Sequence, residues 1–586
     1  MTPAVATPKA PRIRLRGQDA AAASRLAETL GIPPAAARVL AARGFADAAS
    51  ARAWLDPTPD LLHDPSGMAG LPEAVSRLAD SARRGARVVV FGDYDCDGVG
   101  ALAILTTVLT RLGADARPFI PHRVNDGYGL KPDTLRRVLS EHRPEGIVTV
   151  DCGITARAPV EEATRSGVYV IVTDHHLPPE RLPEGAVLVD PKLPGCPYPF
   201  KELCGAGIAW KLAESLLLRA GEAAGLSRAA GEAWRASLAK IAAISTIADV
   251  VPLTGENRIL VAWGLAGLAD PRSPGLSALL KRAGIPPGRG PTAREVAFRI
   301  APRLNAAGRL DHARRALELL TTADPARAES LADELEAANA ERRALQERLV
   351  AIVLERVAGG FSPDRDAVVV EAGDAAGGWH RGVLGLAASR VAEQLRRPVL
   401  LFSRDGDRVA GSGRTWGGTP LHSRVAPVAA RFATEFGGHD AALGMTVPAD
   451  SWDAFRETLR SAFAAARDDA EWESDAVADA ELAAGEVTDE LGSCLSRFEP
   501  HGAGNPRPLF LLRALRWDGR GRRIGPRGLR TAFVEGACRL DAVGWRLGDL
   551  PEEARPGRAD VAAHVAIDSY TGRPALEVVQ LGPAAA

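Results

Sequence analysis

Between Val88 and Val189 the chain alternates short β-branched runs with helical stretches, and each run closes on an aspartate. Val88 to Phe91 leads to Asp93, Gly146 to Val150 to Asp151, Val168 to Thr173 to Asp174, and Val187 to Val189 to Asp190. Near-continuous apolar strands separated by helices form a parallel sheet covered on both faces. Ligands bind such sheets at the carboxyl ends of the strands, so the spacing predicts a rim of acids on one edge. The densest part is Phe91-Gly92-Asp93-Tyr94-Asp95-Cys96-Asp97-Gly98, with aspartate at every second position. In an extended segment those three side chains share one face and repel each other. A divalent cation is the usual compensation.

Other segments bring the same chemistry. Asp151 stands in Asp151-Cys152-Gly153, two imidazoles follow Asp174 as His175 and His176, and Asp249 closes the apolar stretch Ile241 to Ala248. Carboxylates with one or two imidazoles suit Mn²⁺ or Mg²⁺. This many can hold two ions about 3.5–4 Å apart, the arrangement that clamps a phosphoryl group. Each aspartate alone reads as a turn residue or helix N-cap, and each histidine as polar surface. A calcium loop is excluded because no glutamate stands at the twelfth position. The coincidence of four separate segments selects the metal reading.

At 586 residues the chain is too long for one core, and three or four domains are expected. A net charge of −1 excludes a general polycation, so a nucleic-acid partner must meet a local basic surface. The six cysteines form no CxxC pair, which fits a reducing cytoplasm. No leader-like or bilayer-spanning stretch is recognisable. Residues 1 to about 18 read as a disordered tail and Ala21 to Leu55 as short helices. Thr321 to Val357 reads as one long amphipathic helix, with Asp324 as N-cap and Pro325 in the first turn. Arg342 interrupts its seam, favouring a strut over a coiled coil. Beyond Gly359-Gly360 a second α/β unit is expected, with strands at Ala367 to Glu371 and Pro398 to Phe402 around a helix from Leu384 to Leu395. From Glu481 onward, strands with many turns predict a small β-barrel. Its Arg513, Arg516, Trp517, Arg520, Arg522, Arg523, Arg527 and Arg530 read either as a strand-binding stripe or as a charged hairpin tip.

Gly92-Asp93-Tyr94-Asp95-Cys96-Asp97-Gly98, Asp151-Cys152-Gly153 and Asp174-His175-His176 resemble motifs of the DHH phosphoesterase superfamily. Asp126-Gly127-Tyr128-Gly129-Leu130, Gly205-Ala206-Gly207, Ile247 to Leu253 and Pro302 to Arg309 resemble its single-strand-specific 5′→3′ exonuclease branch. So do Trp379 to Gly385, Gly411 to Arg414, Gly437-Gly438-His439 and Phe498 to Pro506. Cys96 stands where alanine is common, and Arg381 where proline is. The fold implied is α/β: a DHH-type parallel sheet domain at 76–320, a connecting helix at 321–360, a smaller DHH-associated α/β domain at 361–475 and an OB-like barrel at 481–586, preceded by a tail and helical segment at 1–75.

The resemblance implies metal ligands at Asp95, Asp97, Asp151, His175 and Asp249, with Asp93 a ligand or a nearby acid. It implies His176 as donor to the scissile phosphate. Arg123, Tyr128, Arg309, Ser412, Gly413, Arg414, Gly438 and His439 are implied substrate contacts, Gly411 to Arg414 as an anion nest. The implied activity is two-metal hydrolysis, with Mn²⁺ or Mg²⁺, of single-stranded DNA from a 5′ end, releasing 5′-mononucleotides in recombination and repair. The alternatives are a short-oligonucleotide or cyclic-dinucleotide phosphodiesterase and a catalytically inactive DNA-binding scaffold. The resemblance further implies a cytoplasmic monomer working with single-strand-binding protein and a RecQ-type helicase.

Overall fold

The computed structural model describes residues 13–122, 126–309, 313–362, 365–417, 419–466, 476–519, 521–550, 557–568 and 571–584. The chain divides into two compact units, Met1–Leu335 together with Ala476–Ala586, and Glu336–Asp475.

The first unit is built on a parallel sheet in the order Asp115–Phe119, Arg87–Gly92, Gly146–Val150, Tyr169–Thr173, Val187–Val189. Alternate side chains serve opposite faces. Val88 and Val90 join a core with Leu102, Leu105 and Leu109 of helix Cys96–Arg111, while Val89 and Phe91 pack with Leu135, Val138 and Val160. Apolar runs predict four strands, and the sheet has five. The missing one, Asp115–Phe119, is an edge strand carrying Asp115, Arg117 and Pro118, so it lacks an apolar run. It changes the topology decisively. The chain leaves Arg87–Gly92 toward one edge and returns on the other side as Gly146–Val150, which makes the gap between these two strands the switch point. The crevice at such a point is where doubly wound sheets bind ligands. Asp93 and Asp151 follow these same two strands.

The C-terminal strands Phe510–Trp517, Gly528–Glu535, Cys538–Gly544, Arg558–Ile567 and Pro574–Pro583 close into a barrel through Arg516 opposite Val534 and Trp517 opposite Phe533. Its core is shared with the N-terminal helices: Leu26, Val39, Leu40 and Leu55 pack with Phe498, Phe510 and Leu512. The expected disordered tail needs correction. Ile13–Leu15 forms a strand paired parallel to Ala476–Ala478, its backbone satisfied by a partner more than four hundred residues away; residues 1–12 lie outside the described residues. Pro325–Ala358 is one continuous helix, with Asp324 Oδ1 accepting the Ala326 N–H at 2.9 Å. No helix among the described residues is long and apolar enough to cross a membrane.

The second unit carries a mixed sheet ordered Glu435–His439, Ala442–Pro448, Arg408–Arg414, Val399–Asp405, Val369–Asp374, packed with helices Leu384–Leu395, Leu421–Phe432 and Trp452–Ala465.

One buried cation ties the first unit together. The Arg258 guanidinium, stacked 3.9 Å over Trp54, donates to the carbonyls of Trp54, Arg497 and Phe498 at 2.9, 3.0 and 3.1 Å. Burial pulls its pKa down to about 10, so it stays charged at neutral pH. Arg258→Ala orphans three carbonyls at about 1–3 kcal/mol each. We expect denaturant unfolding to show a loss of at least ~3 kcal/mol, with Arg258→Lys restoring only part of it because one ammonium lacks the guanidinium fork.

Candidate active site

The three alternating aspartates do not lie on a strand. The strand ends at Gly92, Asp95 is the N-cap of helix Cys96–Arg111, and Asp97 lies in that helix's first turn. Their convergence comes from a strand–turn–helix junction, so the argument from an extended face is corrected. Asp95 Oδ1 accepts the N–H groups of Asp97 and Gly98 at 2.9 and 3.0 Å, so the capping reading of this residue also holds. Asp97 points the other way, into the first turn of helix Gly205–Ala220, where Gly205 and Ala206 donate their N–H groups at 2.6 and 2.9 Å. Gly205 has no alternative there, since a Cβ would lie 2.5 Å from the Asp151 Cβ. Asn305 Oδ1 accepts the Cys96 N–H at 2.8 Å, which gives the Pro302 to Arg309 segment a visible task. The Cys96 side chain itself is buried in the main core.

Around this junction the acids meet. Asp93, Asp97, Asp151 and His175 are buried. Ligand atoms of Asp93, Asp95 and Asp151 lie within 4.8 Å of one another, as do those of Asp97, His175 and Asp249, and those of Asp151, His175 and His176. His175 Nε2 lies 3.1 Å from Asp151 Oδ1, 3.7 Å from Asp249 Oδ2 and 3.9 Å from Asp97 Oδ2. Neither His175 Nε2 nor Asp151 Oδ1 is aligned for a hydrogen bond, although the two atoms are near enough for one. Converging buried lone pairs of this kind fit divalent cations and little else. The electrostatics agree. Burial, reinforced by Asp97 and the other acids, pushes the Asp151 carboxyl well above its ordinary range. Burial and then Asp97 carry Asp249 up to about 9. Burial also raises Asp97, against the pull of His175, and lowers His175 to about 4, which leaves a neutral imidazole with a lone pair to give.

Asp174 has a role that sequence reading did not assign. Fully buried, it accepts the N–H groups of Ile154, His175 and His176 at 2.9, 2.8 and 3.2 Å, and its Oδ1 lies 2.7 Å from His176 Nδ1. It therefore sets both histidines. Burial opposes a charge on His176, but Asp174 outweighs it, and the His176 pKa lies above the ordinary imidazole value. Tyr128 donates its hydroxyl to the Asp151 carbonyl at 3.2 Å, its hydroxyl oxygen lies 3.2 Å from His176 Nδ1, and its ring is edge-on to His176 and 42% exposed. Lys192, also unassigned from sequence, is near enough to lower the pKa of both His175 and Asp249. A cavity of about 440 Å³ opens beside the site between Tyr94, Phe119, His122, Arg137, Gly308 and Arg314.

Asp249 caps helix Arg228–Ala248, and the loop after it is clamped. Leu253 donates its N–H to the Ala503 carbonyl at 2.7 Å, and Asn257 donates to the Pro252 carbonyl at 3.0 Å. Ala503 belongs to Phe498–Pro506, whose shape Asn505 fixes by donating to the carbonyls of Phe498 and Pro500 at 2.9 and 2.8 Å. Asp151 and Val250 both adopt left-handed backbone, with φ of +59° and +62°. Strain of this kind concentrates at functional sites and is held by surrounding structure.

The remaining sequence candidates separate. Arg123 and Arg520 lie outside the described residues. Arg309 ends helix Ala301–Arg309, whose Gly308 faces the Tyr94 carbonyl. Gly411 to Arg414 is not a nest. It lies within Arg408–Arg414, a strand flanked on both edges, so its backbone N–H groups are committed to the sheet. In the second unit the strand register aligns Arg414, Ala442 and His439, and beside them Ser412, Gly444 and Gly437. Gly413 and Gly438 both sit beside Leu443, and a Cβ on Gly438 would meet the Ala442 carbonyl at 2.5 Å. Arg414 and His439 thus share one face, about 10 Å apart across a floor of small residues. In the barrel, Trp517 is core, not a stacking surface: it is buried and its Nε1 donates to Thr531 Oγ1 at 2.7 Å. Arg513, Arg527 and Arg530 are paired with Glu481 and Asp560, Asp549, and Asp568, whereas Arg516 and Arg522 are exposed.

Residues 87–246 match the DHH family N-terminal domain, 366–465 the DHHA1 domain and 478–580 the RecJ OB domain. The chain is 37% identical to the single-stranded-DNA-specific exonuclease RecJ of Thermus thermophilus, over 94% of this chain and 75% of that one. It is 34% identical to the protein of the same name from Bacillus subtilis (strain 168), over 94% of this chain and 67% of that one. The crystal structure of RecJ in complex with Mn²⁺ from Thermus thermophilus superposes with a TM-score of 0.80 at 33% identity, covering 98% of this chain and 80% of that one. With the acids gathered at the sheet's switch point and these likenesses spanning nearly its whole length, the chain belongs to the RecJ family of single-stranded-DNA-specific exonucleases.

Proposed function

We propose that this protein is a single-stranded-DNA-specific exonuclease that hydrolyses phosphodiester bonds from a 5′ end and releases 5′-mononucleotides, with Mn²⁺ or Mg²⁺ as cofactor. The observation that carries the reading is the buried His175 Nε2, which no hydrogen bond claims and which faces oxygens of Asp97, Asp151 and Asp249 from three different segments. Asp97, His175 and Asp249 would hold one ion and Asp93, Asp95 and Asp151 the other. Bound divalent ions supply Lewis-acid polarisation of the phosphodiester and a nucleophile from water at neutral pH.

The chain's own groups do the rest. Asp174 fixes the His176 ring and favours its protonated form, so that His176 donates to the charge developing on the scissile phosphate. Tyr128 buttresses that ring from the side. Asp95 and Asp97 are anchored by helix N–H groups and change position little when the ions bind. Arg414 with Ser412, and His439, are proposed holders of backbone phosphate, acting through side chains alone; Gly437, Ala442 and Gly444 keep that face low, and Gly413 and Gly438, turned to the opposite face, let the strands pack on Leu443. Arg123 and Arg309 are proposed partners of the same strand. The reading extends to a cytoplasmic monomer acting on strands opened by a helicase and covered by single-strand-binding protein, which the resemblance of the motifs supports.

The function is tested with end-labelled single strands of both polarities in Mn²⁺, Mg²⁺ or EDTA, beside a dinucleotide. We expect metal-dependent loss of the 5′ label first as mononucleotide, with the long strand preferred; degradation from the 3′ end, or preference for the dinucleotide, overturns the reading. Asp97→Ala is expected to lower turnover by about 10³-fold or more while strand binding in EDTA persists. Removal of Asp97 relieves crowding among the acids but orphans the Gly205 and Ala206 N–H groups, so the melting temperature in EDTA is expected to fall by a few degrees. Asp174→Asn removes what raises the His176 pKa. The protonated imidazole is then lost at a lower pH, and the alkaline limb of the kcat profile is expected to move to lower pH with a drop of about 10²-fold in kcat. An unmoved limb refutes the assignment of His176.

A further inference from the structure

Two large apolar side chains stand in water where the sequence gives no reason for them. Leu177 follows the His175-His176 pair and is 69% exposed. Val250 follows Asp249 and is also 69% exposed. They come from different loops, each within two residues of a site residue, and those site residues meet, with Asp249 Oδ2 3.7 Å from His175 Nε2.

Val250 is held out against its own preference. A β-branched residue at φ +62° is a strong outlier, because its Cβ crowds the backbone in the left-handed region. Glycine or asparagine would meet that backbone need more cheaply. The conformation is enforced from both sides: Asp249 N–H bonds back to the Ser245 carbonyl at 2.9 Å, and beyond Val250 the Leu253 and Asn257 bonds fix the chain. Folding alone gains nothing from the Val250 side chain, which buries little apolar area. Leu177 makes the same negative case, since an exposed leucine next to two functional histidines adds no core packing.

The occupant follows from the chemistry they adjoin in the chain. The acids and imidazoles face a phosphate, and what flanks a phosphate in a polynucleotide is a nucleoside, whose base faces are apolar and whose edges are wet. We propose that Leu177 and Val250 pack against the nucleoside next to the scissile phosphate, gripping its base and so holding the phosphodiester in register with the site. This rests on the exonuclease reading and adds to it two residues of substrate recognition. Apolar contact of this kind is tolerant of base identity, as an enzyme that consumes a strand of any sequence requires.

The experiment compares a 5′-phosphorylated oligodeoxynucleotide with the same strand carrying tetrahydrofuran abasic residues at its two 5′-terminal positions, for the parent chain, Leu177→Ala, Val250→Gly and Val250→Ile. On the base-bearing strand kcat/KM is expected to fall roughly tenfold for Leu177→Ala and for Val250→Gly, the scale of one lost apolar contact, and to be retained by Val250→Ile. On the abasic strand the parent is expected to be slower, and the variants to match it within about twofold. The melting temperature is expected to be unchanged for Leu177→Ala and unchanged or higher for Val250→Gly, because glycine accepts the backbone without strain. Equal losses on both strands would mean that the substitutions disturb the ions' ligands and not the nucleoside, and would overturn the proposal. No loss on either strand overturns it as well. Failure of the exonuclease reading shows differently, as no metal-dependent digestion by the parent chain.

Discussion

Like charges crowded into a low-dielectric pocket are the constraint from which the rest of this structure follows. Asp93, Asp97 and Asp151 are buried within reach of Asp95 and Asp249, and among the described residues no lysine or arginine neutralises Asp97 or Asp151 at contact distance. Burial raises the pKa of Asp97, Asp151 and Asp249 above the ordinary carboxylate range. Cations held there would compete with protons for the same oxygens, so metal binding and deprotonation would be one coupled equilibrium. A parallel sheet supplies the crevice at its switch point, and helix N-termini supply the backbone donors that keep two of the acids oriented.

Holding such a pocket open needs support that is remote in sequence. Asn305 caps the turn before helix Cys96–Arg111. Gly100 lets that helix approach Arg228–Ala248 so closely that a Cβ would sit 2.1 Å from Ser245 Oγ, and Ser245 Oγ in turn donates to the Cys96 carbonyl at 3.0 Å. On the other side, Arg43 donates to Asn505 Oδ1 at 2.9 Å, Asn505 shapes the loop that carries Ala503, and Ala503 receives Leu253. Gly205 and Gly308 are therefore places where one segment lies against another, and Asn305 and Asn505 tie loops together through their side-chain amides.

Much of this was legible beforehand, and the misses have physical causes. Strand-end aspartates could be read because buried parallel strands are apolar runs with abrupt polar ends. The edge strand Asp115–Phe119 could not, since one open edge and a proline erase that pattern. The pairing of Ile13–Leu15 with Ala476–Ala478 was invisible because parallel partners so far apart leave no local trace. Gly411 to Arg414 misled because Gly-Ser-Gly reads as a turn, whereas here small residues let a central strand lie close beneath Phe402 and Leu443. Trp517 misled because its basic neighbours suggested a surface, while strand alternation turns it inward. Asp174 stands in the same motif as the two histidines, yet only the side-chain geometry distinguishes a residue that steers imidazoles from one that ligates.

The bond from Leu253 to Ala503 has a temporal side. Ribosomes make proteins from the amino end, so the segment bearing Asp249 emerges roughly two hundred and fifty residues ahead of the carbonyl that braces it. A nascent chain that already displays the whole acidic crevice still lacks the brace, and also the anchors Arg497 and Phe498 that Arg258 grips. A strand-degrading machine is thereby braced by residues made long after the acids they steady.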